Sequence, residues 1–378
     1  MKYLIAPDSF KDSLSAERVA QALERGLLAG DPTAECDRLP LADGGEGTLD
    51  AWLVATGAEA RLASVHDPLG RPVNARWGWL PDSRLALVEL AEASGLQHLS
   101  DKDRNPTQTS SFGTGELISA ALDDGATEVI VALGGSATND AGTGLLSALG
   151  VRWLDQSGEP VSPGGLALAK VTQVDLSGLD PRCFQTRFRI ACDVTNPLLG
   201  PQGASTVFGP QKGATEDAVR QLEIALTHWN QVMSAAGYGS LDLIEGGGAA
   251  GGCAASLAGI LNAELVSGID LMLDSTGFEH RLSDIDWVIT GEGRIDEQTA
   301  HGKSIAGIAR RCQRSNVPVI AIGGAVEGDL TTLYRLGVTA SFSLVSQPCT
   351  LCEALVRTEP DLVHLGTDLA RLLSRLGL

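Results

Sequence analysis

Asp286-Trp287-Val288-Ile289-Thr290 and Val317-Pro318-Val319-Ile320-Ala321-Ile322 decide the fold, with a third strand-like stretch at 340–345. Short apolar runs without polar alternation are what strands buried on both faces look like. Helical stretches are expected between them, near 303–315 and 329–336. That alternation is βαβ spacing and implies a parallel sheet with helices on its faces. The chain opens in the same way. Residues 2–6 (Lys-Tyr-Leu-Ile-Ala) read as a buried strand, and Ser15 as the N-cap of a helix with Ala16, Val19, Ala20, Leu23 and Leu27 on one face. Gly30, Asp31 and Pro32 end that helix.

The middle of the chain reads differently. Residues 73–79 and 85–91 alternate like two strands joined by the turn Pro81-Asp82-Ser83, which predicts a hairpin. A buried strand at 127–133, another from Arg187 to Cys192 and a helix at 217–236 follow. The expected organisation is one α/β domain made from both chain ends, 1–64 and 284–378, with a mixed α/β domain inserted at 65–283. The cleft between them is where ligands are expected.

Composition narrows the function. The chain has 378 residues, 43% hydrophobic and 20% charged, enough to bury the cores of two or three domains. Its 47 acidic and 28 basic side chains give a net charge of -19, which disfavours nucleic acid and anionic membrane surfaces as partners. Any phosphate or carboxylate site must therefore be built locally, from backbone amides and a few placed cations. No run of about 18 apolar residues appears. Met1 to Ala6 lead straight into Pro7 and Asp8 rather than a signal-peptide core, so a cytoplasmic protein is expected. The seven cysteines are an odd, scattered set and read as reduced thiols. Cys349 and Cys352 form one C-x-x-C without the second pair or histidine that a zinc site needs.

Four turns carry candidate chemistry. Leu133-Gly134-Gly135-Ser136-Ala137-Thr138-Asn139-Asp140 follows a strand and precedes an apolar run at 145–149, so its amides can approach a phosphate closely. Tight strand-to-helix packing would use the same small residues. Thr290-Gly291-Glu292-Gly293-Arg294-Ile295-Asp296 is read as a charged, Gly-flexed turn after the strand at 286–290. It does not lead into a P-loop, because Glu297 stands where a glycine would be needed. Its other reading is a surface turn in which Arg294 pairs with a neighbouring carboxylate. Ala6-Pro7-Asp8-Ser9-Phe10-Lys11 and Ala42-Asp43-Gly44-Gly45-Glu46-Gly47-Thr48, the latter after an expected strand ending at Leu41, offer carboxylates suited to Mg²⁺. Turn and capping chemistry is the alternative for each. Asp193, delivered by the strand 187–192, is either a general base or an Asx-turn residue. A competing pattern is Gly246-Gly247-Gly248-Ala249-Ala250-Gly251, which matches G-x-G-x-x-G after Leu241–Ile244 with Asp270 further on. It would make the chain an NAD(P)-dependent oxidoreductase acting on a small hydroxy acid.

Taken in order, these segments resemble the type-1 glycerate kinase family of bacteria. The blocks at 6–16 and 42–48 match its opening. Ala93-Ser94-Gly95-Leu96, Gly113-Thr114-Gly115-Glu116, Gly134–Asp140, Val207–Ala214 and Ile289–Arg294 continue it, so that the resemblance spans essentially the whole chain. It implies a Rossmann-like domain split between the chain ends and ATP- and Mg²⁺-dependent phosphorylation of D-glycerate, with the choice of the 2-hydroxyl resting on the resemblance alone. The family also carries the 246–252 glycine cluster without being a dehydrogenase. Asp12 departs from the pattern, standing where the family more often has glycine.

The expected roles follow from chemistry. Gly134, Gly135, Ser136, Thr138 and Asn139, with Lys212, Gly291, Glu292 and Gly293, are the candidates for binding the nucleotide. Asp8, Ser9, Lys11 and Arg294 are candidates for the substrate, and Lys11 and Arg294 also for offsetting phosphoryl charge. Asp43, Glu46 and Asp296, together with Asp8, are candidates for Mg²⁺ or its waters, and Asp193 for the catalytic base. The expected assembly is a monomer or homodimer.

Overall fold

The computed structural model describes residues 1–42, 44–45, 47–300 and 304–376. In chain order the strands are β1 Lys2–Ile5, β2 Glu35–Arg38, β3 Glu59–His66, β4 Pro72–Leu80, β5 Leu85–Glu89, β6 Glu128–Ala132, β7 Arg152–Leu154, β8 Gln173–Asp175, β9 Arg187–Ala191, β10 Glu264–Val266, β11 Trp287–Ile295, β12 Val319–Val326 and β13 Val338–Ser343. The chain divides into two units, residues 1–43, 50–57 and 267–378 forming one, and 44–49 and 58–266 the other.

The terminal unit is built on a sheet in the order β13-β12-β11-β1-β2, and every pairing in it is parallel. β1 is an interior strand between β11 and the edge strand β2, with Tyr3, Leu4 and Ile5 opposite Trp287, Val288 and Ile289. These three residues are fully buried, as an interior parallel strand covered on both faces requires. The Ser15 hydroxyl caps the helix Ala16–Gly30 by accepting from the Arg18 N–H, and Asp31 closes the other end. One face of the sheet packs Val19, Leu23 and Leu27 of this helix with Leu362, Leu369 and Leu373 of the helix Leu351–Leu376. On the other, Ile305 and Ala309 of the helix Ser304–Arg314 pack with Ile295 and Leu333.

The inserted unit carries a mixed sheet in the order β10-β9-β6-β5-β4-β3. The expected hairpin is present as β4 and β5, antiparallel with Gly78 opposite Leu87. β5, β6, β9 and β10 then run parallel. Its core joins Trp77, Trp79, Trp153 and Trp229 to the sheet and to the helices Phe112–Asp123 and Glu216–Met233. No helix among the described residues is long and apolar enough to cross a membrane.

Three local expectations differ from the structure. The strand expected to reach Leu41 ends at Arg38. The Leu39 and Leu41 N–H groups still donate to the Ile5 and Pro7 carbonyls, but Pro7 has no N–H to return a bond, and the ladder stops. Gly291–Arg294, read as a turn, is instead the continuation of β11. β12 runs alongside it, with Glu292 opposite Gly323 and Arg294 opposite Ala325. Leu241–Leu243, the strand that a dinucleotide fingerprint would need, is a 3₁₀ turn.

Candidate active site

In the inserted unit, the carboxyl ends of three neighbouring parallel strands gather the functional candidates. β5 ends in Glu89, β6 runs into Gly134, and β9 runs through Cys192 into Asp193. Glu89 and Ala132 are register partners, as are Ala132 and Ala191. This edge is where sheets of this kind hold ligands. Glu89, only 4% exposed, accepts from the Gly47 N–H at 3.1 Å and from the Leu49 N–H at 2.8 Å. A carboxylate there answers the partial positive charge of the helix start at Thr48–Thr56. Asp193 is followed by a segment pinned to the glycine cluster, since the Gly246 and Gly248 N–H groups donate to the Thr195 and Asn196 carbonyls.

The Gly134 loop meets the Gly44-Gly45 turn directly. Gly134 N–H donates to the Gly44 carbonyl at 3.3 Å, and a Cβ on Gly134 would lie 2.5 Å from the Gly45 Cα. Two motifs far apart in sequence are thus in contact, and the contact demands glycine. Gly135 follows with φ of 68°, is exposed, and turns the chain so that its N–H and that of Ser136 have no acceptor among the described residues. Two adjacent unengaged amides on a Gly turn are the groups from which an anion nest is built. Thr138 and Asn139 behave differently. Both are fully buried, and the Asn139 amide donates to the Ser205 hydroxyl at 3.0 Å, so their side chains face the interior.

Beneath the loop lies a buried polar cluster. Asp140 accepts from the Ser111 N–H and hydroxyl, from the Gly142 N–H at 3.1 Å and from the Gly144 N–H at 3.3 Å. Burial pushes its carboxyl above the usual range against the pull of these donors. Lys212, 1% exposed, donates from Nζ to the Thr138 carbonyl at 2.6 Å. Burial draws its ammonium down to about 8, opposed by the nearby Asp140 carboxyl. Lys212 thus touches the loop's backbone from inside. Gly251 and Gly252 press on the same loop: a Cβ on Gly251 would meet the Thr138 carbonyl at 2.2 Å, and one on Gly252 would meet the Ala141 Cα at 2.9 Å. With φ values of 67° and 96°, these glycines pack a buried turn rather than open a nucleotide cradle.

The terminal unit has its own edge. Asp8 N–H donates to the Gly291 carbonyl at 2.9 Å, which sets the segment after β1 beside β11. The Ser304 hydroxyl and the Ser9 N–H both donate to the Asp8 carboxylate, at 2.6 Å. Glu292 accepts from the Thr299 hydroxyl at 2.8 Å, and Thr299 also accepts from the Asp296 N–H at 3.1 Å. Glu292 and Arg294, two apart on a strand, share a face. Arg294 is 62% exposed and pairs with Asp296 at 3.3 Å and Glu327 at 3.0 Å. Lys11 is exposed, and Gly293 lies against it, the place of a Gly293 Cβ being 3.4 Å from the Lys11 N. Asp12 takes φ of 64°, the left-handed conformation, which is why glycine suits that position.

The Asp8 and Glu292 carboxylates each accept from a hydroxyl, of Ser304 and Thr299, and carboxylate and hydroxyl oxygens are the donor type that hard cations such as Mg²⁺ take. No group of three or more His, Cys, Asp or Glu side chains fit to hold a metal occurs among the described residues. Asp43 and Glu46 lie outside them. Glu89 and Asp140 were not singled out by sequence reasoning. The signal for Glu89 was the acidic residue closing the apolar run Leu85-Ala86-Leu87-Val88, and for Asp140 its place at the end of the Gly-rich loop.

The chain matches the model of the Glycerate kinase family over residues 3–374. It is 46% identical over 370 residues to a glycerate kinase of Bacillus subtilis (strain 168), covering 98% of this chain and 97% of that protein. It is 44% identical over 374 residues to the glycerate 2-kinase of Escherichia coli (strain K12), covering 99% and 98%. A crystal structure from Salmonella typhimurium LT2, named as a candidate glycerate kinase 2, superposes with a TM-score of 0.88 at 44% identity over 99% of this chain and 98% of that one.

Proposed function

The chain belongs to the glycerate kinase family, and from that premise we propose that it transfers the γ-phosphoryl group of ATP to the 2-hydroxyl of D-glycerate, giving 2-phospho-D-glycerate and ADP. The observation that carries this reading is the match along essentially the full length, which includes every loop described above. In the transfer, the substrate oxygen forms a bond to the γ-phosphorus as the bond to the β,γ-bridging oxygen breaks. The hydroxyl proton leaves to a base, and the charge passes to ADP.

The residues divide this work by their chemistry. Asp193, at the end of β9, is the carboxylate to accept the proton. The Gly135 and Ser136 amides, on a loop held by Gly134, Asp140 and Lys212, supply fixed dipoles for phosphoryl oxygens at no reorganisation cost. Lys11 and Arg294 offset anionic charge on the substrate or the phosphoryl group, and Ser9 is a hydrogen-bonding partner for the substrate. Gly291, where a Cβ would lie 2.3 Å from the Ile322 carbonyl, and Gly293, beside Lys11, flank Glu292 on β11 and are the backbone candidates for the nucleotide on this strand. Asp8, Glu292 and Asp296 would hold Mg²⁺ through its waters, with Asp43 and Glu46 as further carboxylate candidates. The ion would neutralise charge on the β- and γ-phosphates. A cytoplasmic setting belongs to the same reading and agrees with seven free cysteines.

The test is turnover of D-glycerate with ATP and Mg²⁺ by the purified protein, following ADP release and locating the new phosphate by ³¹P NMR. Formation of 2-phosphoglycerate in step with ADP is expected. The 3-isomer would overturn the regiochemistry, and absence of turnover the activity.

A further inference from the structure

The terminal unit contains a cavity of about 130 Å³ at the carboxyl ends of β1, β11, β12 and β13. Phe10, Gly293, Gly324 and Leu344 form its sheet side. The first turns of the helix Leu351–Leu376 close it opposite, through Leu351 and Leu355. Resting on the kinase reading above, we propose that this cavity receives the adenine ring of the nucleotide.

Place, size and chemistry converge on that occupant. The carboxyl edge of a parallel sheet is where ligands sit in this class of fold. A dry cavity of about 150 Å³ holds a benzene ring, so this smaller space, open on the side of the exposed Cys349 and Leu351, covers part of a flat ring system and leaves the rest of the ring, the sugar and the phosphates outside. Its walls are mainly apolar, and the Arg357 cation on its rim is already paired with Asp361 at 3.2 Å. A small carboxylic acid passing Lys11 at the lip to reach the wall of Leu344, Leu351 and Leu355 would lose its hydration without full compensation, whereas a weakly polar heteroaromatic ring would not. The fold does not itself require a glycine at 293. A Cβ there would sit at ordinary contact distance, 3.4 Å from the Lys11 N, so the missing side chain leaves a flat peptide surface facing the space. Gln347, exposed on the rim, offers both a donor and an acceptor to a ring edge. Lys11, next to Phe10 at the lip, is where the phosphate chain would emerge.

Cys349 lines the cavity and is exposed, which gives a readout independent of turnover. In the full-length Cys352→Ser protein, alkylation of Cys349 by iodoacetamide is followed by peptide mass spectrometry with adenosine, ADP, D-glycerate or inorganic phosphate present. Saturating adenosine and ADP are expected to slow alkylation roughly fivefold or more, with glycerate and phosphate without effect. Protection by glycerate, or none by adenosine, overturns the proposal. Ala354, half-buried on the helix wall, supplies a second test. Ala354→Trp should raise KM for ATP roughly tenfold while KM for glycerate and the melting temperature hold, and an equal rise in both KM values refutes the assignment. A protein that phosphorylates glycerate but gains no adenosine protection loses only this inference. One that adenosine protects but that turns over no glycerate loses only the kinase reading.

Discussion

Replacing Lys212 by Met should change how stability depends on pH, with a sign and size that the buried site sets. Lys212 is 1% exposed, and burial draws its ammonium from 10.5 to about 8. Below pH 8 the side chain is charged in both folded and unfolded chains, and the folded state carries the whole desolvation cost. Between pH 8 and 10.5 the unfolded chain holds a proton that the folded chain has released, so stability contributed by this site rises with pH. Above 10.5 both forms are neutral and the contribution is level. The gap between 10.5 and about 8 corresponds to about 3 kcal/mol. Met fills nearly the same volume and does not titrate. The stability difference between wild type and Lys212→Met should therefore move by about 3 kcal/mol in favour of wild type between pH 7 and 10.5, with titrating groups distant from Lys212 cancelling. Urea unfolding followed by tryptophan emission reads it, because Trp77, Trp79, Trp153 and Trp229 all report on the inserted unit. With two units in the chain, that unit's transition is fitted separately. A difference that stays constant over this range would refute the buried-ammonium argument.

Gly134→Ala places a methyl 2.5 Å from the Gly45 Cα, so the loop must shift, and kcat/KM should fall on the order of 10²-fold with circular dichroism unchanged. Asp8→Asn keeps an oxygen for the Ser9 N–H and reverses the second contact, its amide donating to the Ser304 hydroxyl, but loses the charge. Turnover should drop by about 10²-fold or more without a change in melting temperature, and a rise in the Mg²⁺ concentration for half-maximal activity would mark the ion's role. For Arg294→Ala, the exposed pairs to Asp296 and Glu327 predict a stability change below about 0.5 kcal/mol. A roughly tenfold rise in KM for glycerate is expected alongside it, and unchanged kinetics would leave Arg294 as a surface ion-pair residue.

The strands and helices were legible where one local rule governs them. Tyr3-Leu4-Ile5 are buried as their apolar run implies, Ser15 caps its helix, and the turn after Leu80 makes the expected hairpin. Motifs whose conformation depends on a distant neighbour were harder to read. Gly291–Arg294 has turn composition, yet it is strand because Gly323–Val326 runs beside it and supplies the ladder. The G-x-G-x-x-G pattern at 246–251 carries no record of the Thr138 carbonyl that presses on Gly251. Lys212 reads from sequence as a ready phosphate ligand, and nothing nearby along the chain reveals that its ammonium is spent on the Thr138 carbonyl, 74 residues away. Asp140 is similar, since its main partner Ser111 comes from another helix start 29 residues earlier. Glycine-rich loops announce that something must approach closely; whether it is ligand or protein is decided in three dimensions.

The position of β1 between β2 and β11 has a consequence for how the chain is made. Its first partner, β2, emerges from the ribosome soon after it, with the helix Ala16–Gly30 between them. Its other partner, β11, begins at Trp287. At bacterial and eukaryotic synthesis rates the wait is roughly 15 to 60 s, far longer than a hairpin or helix needs to form. During it, the whole of 58–266 is translated and, having its own core, can fold. Throughout that interval the hydrogen-bonding edge of Tyr3-Leu4-Ile5 that β11 will occupy stays open on the nascent chain, an apolar strand edge in search of a partner. The late arrival of Trp287–Ile295 closes it, so the edge is open to mispairing through roughly the first three-quarters of translation.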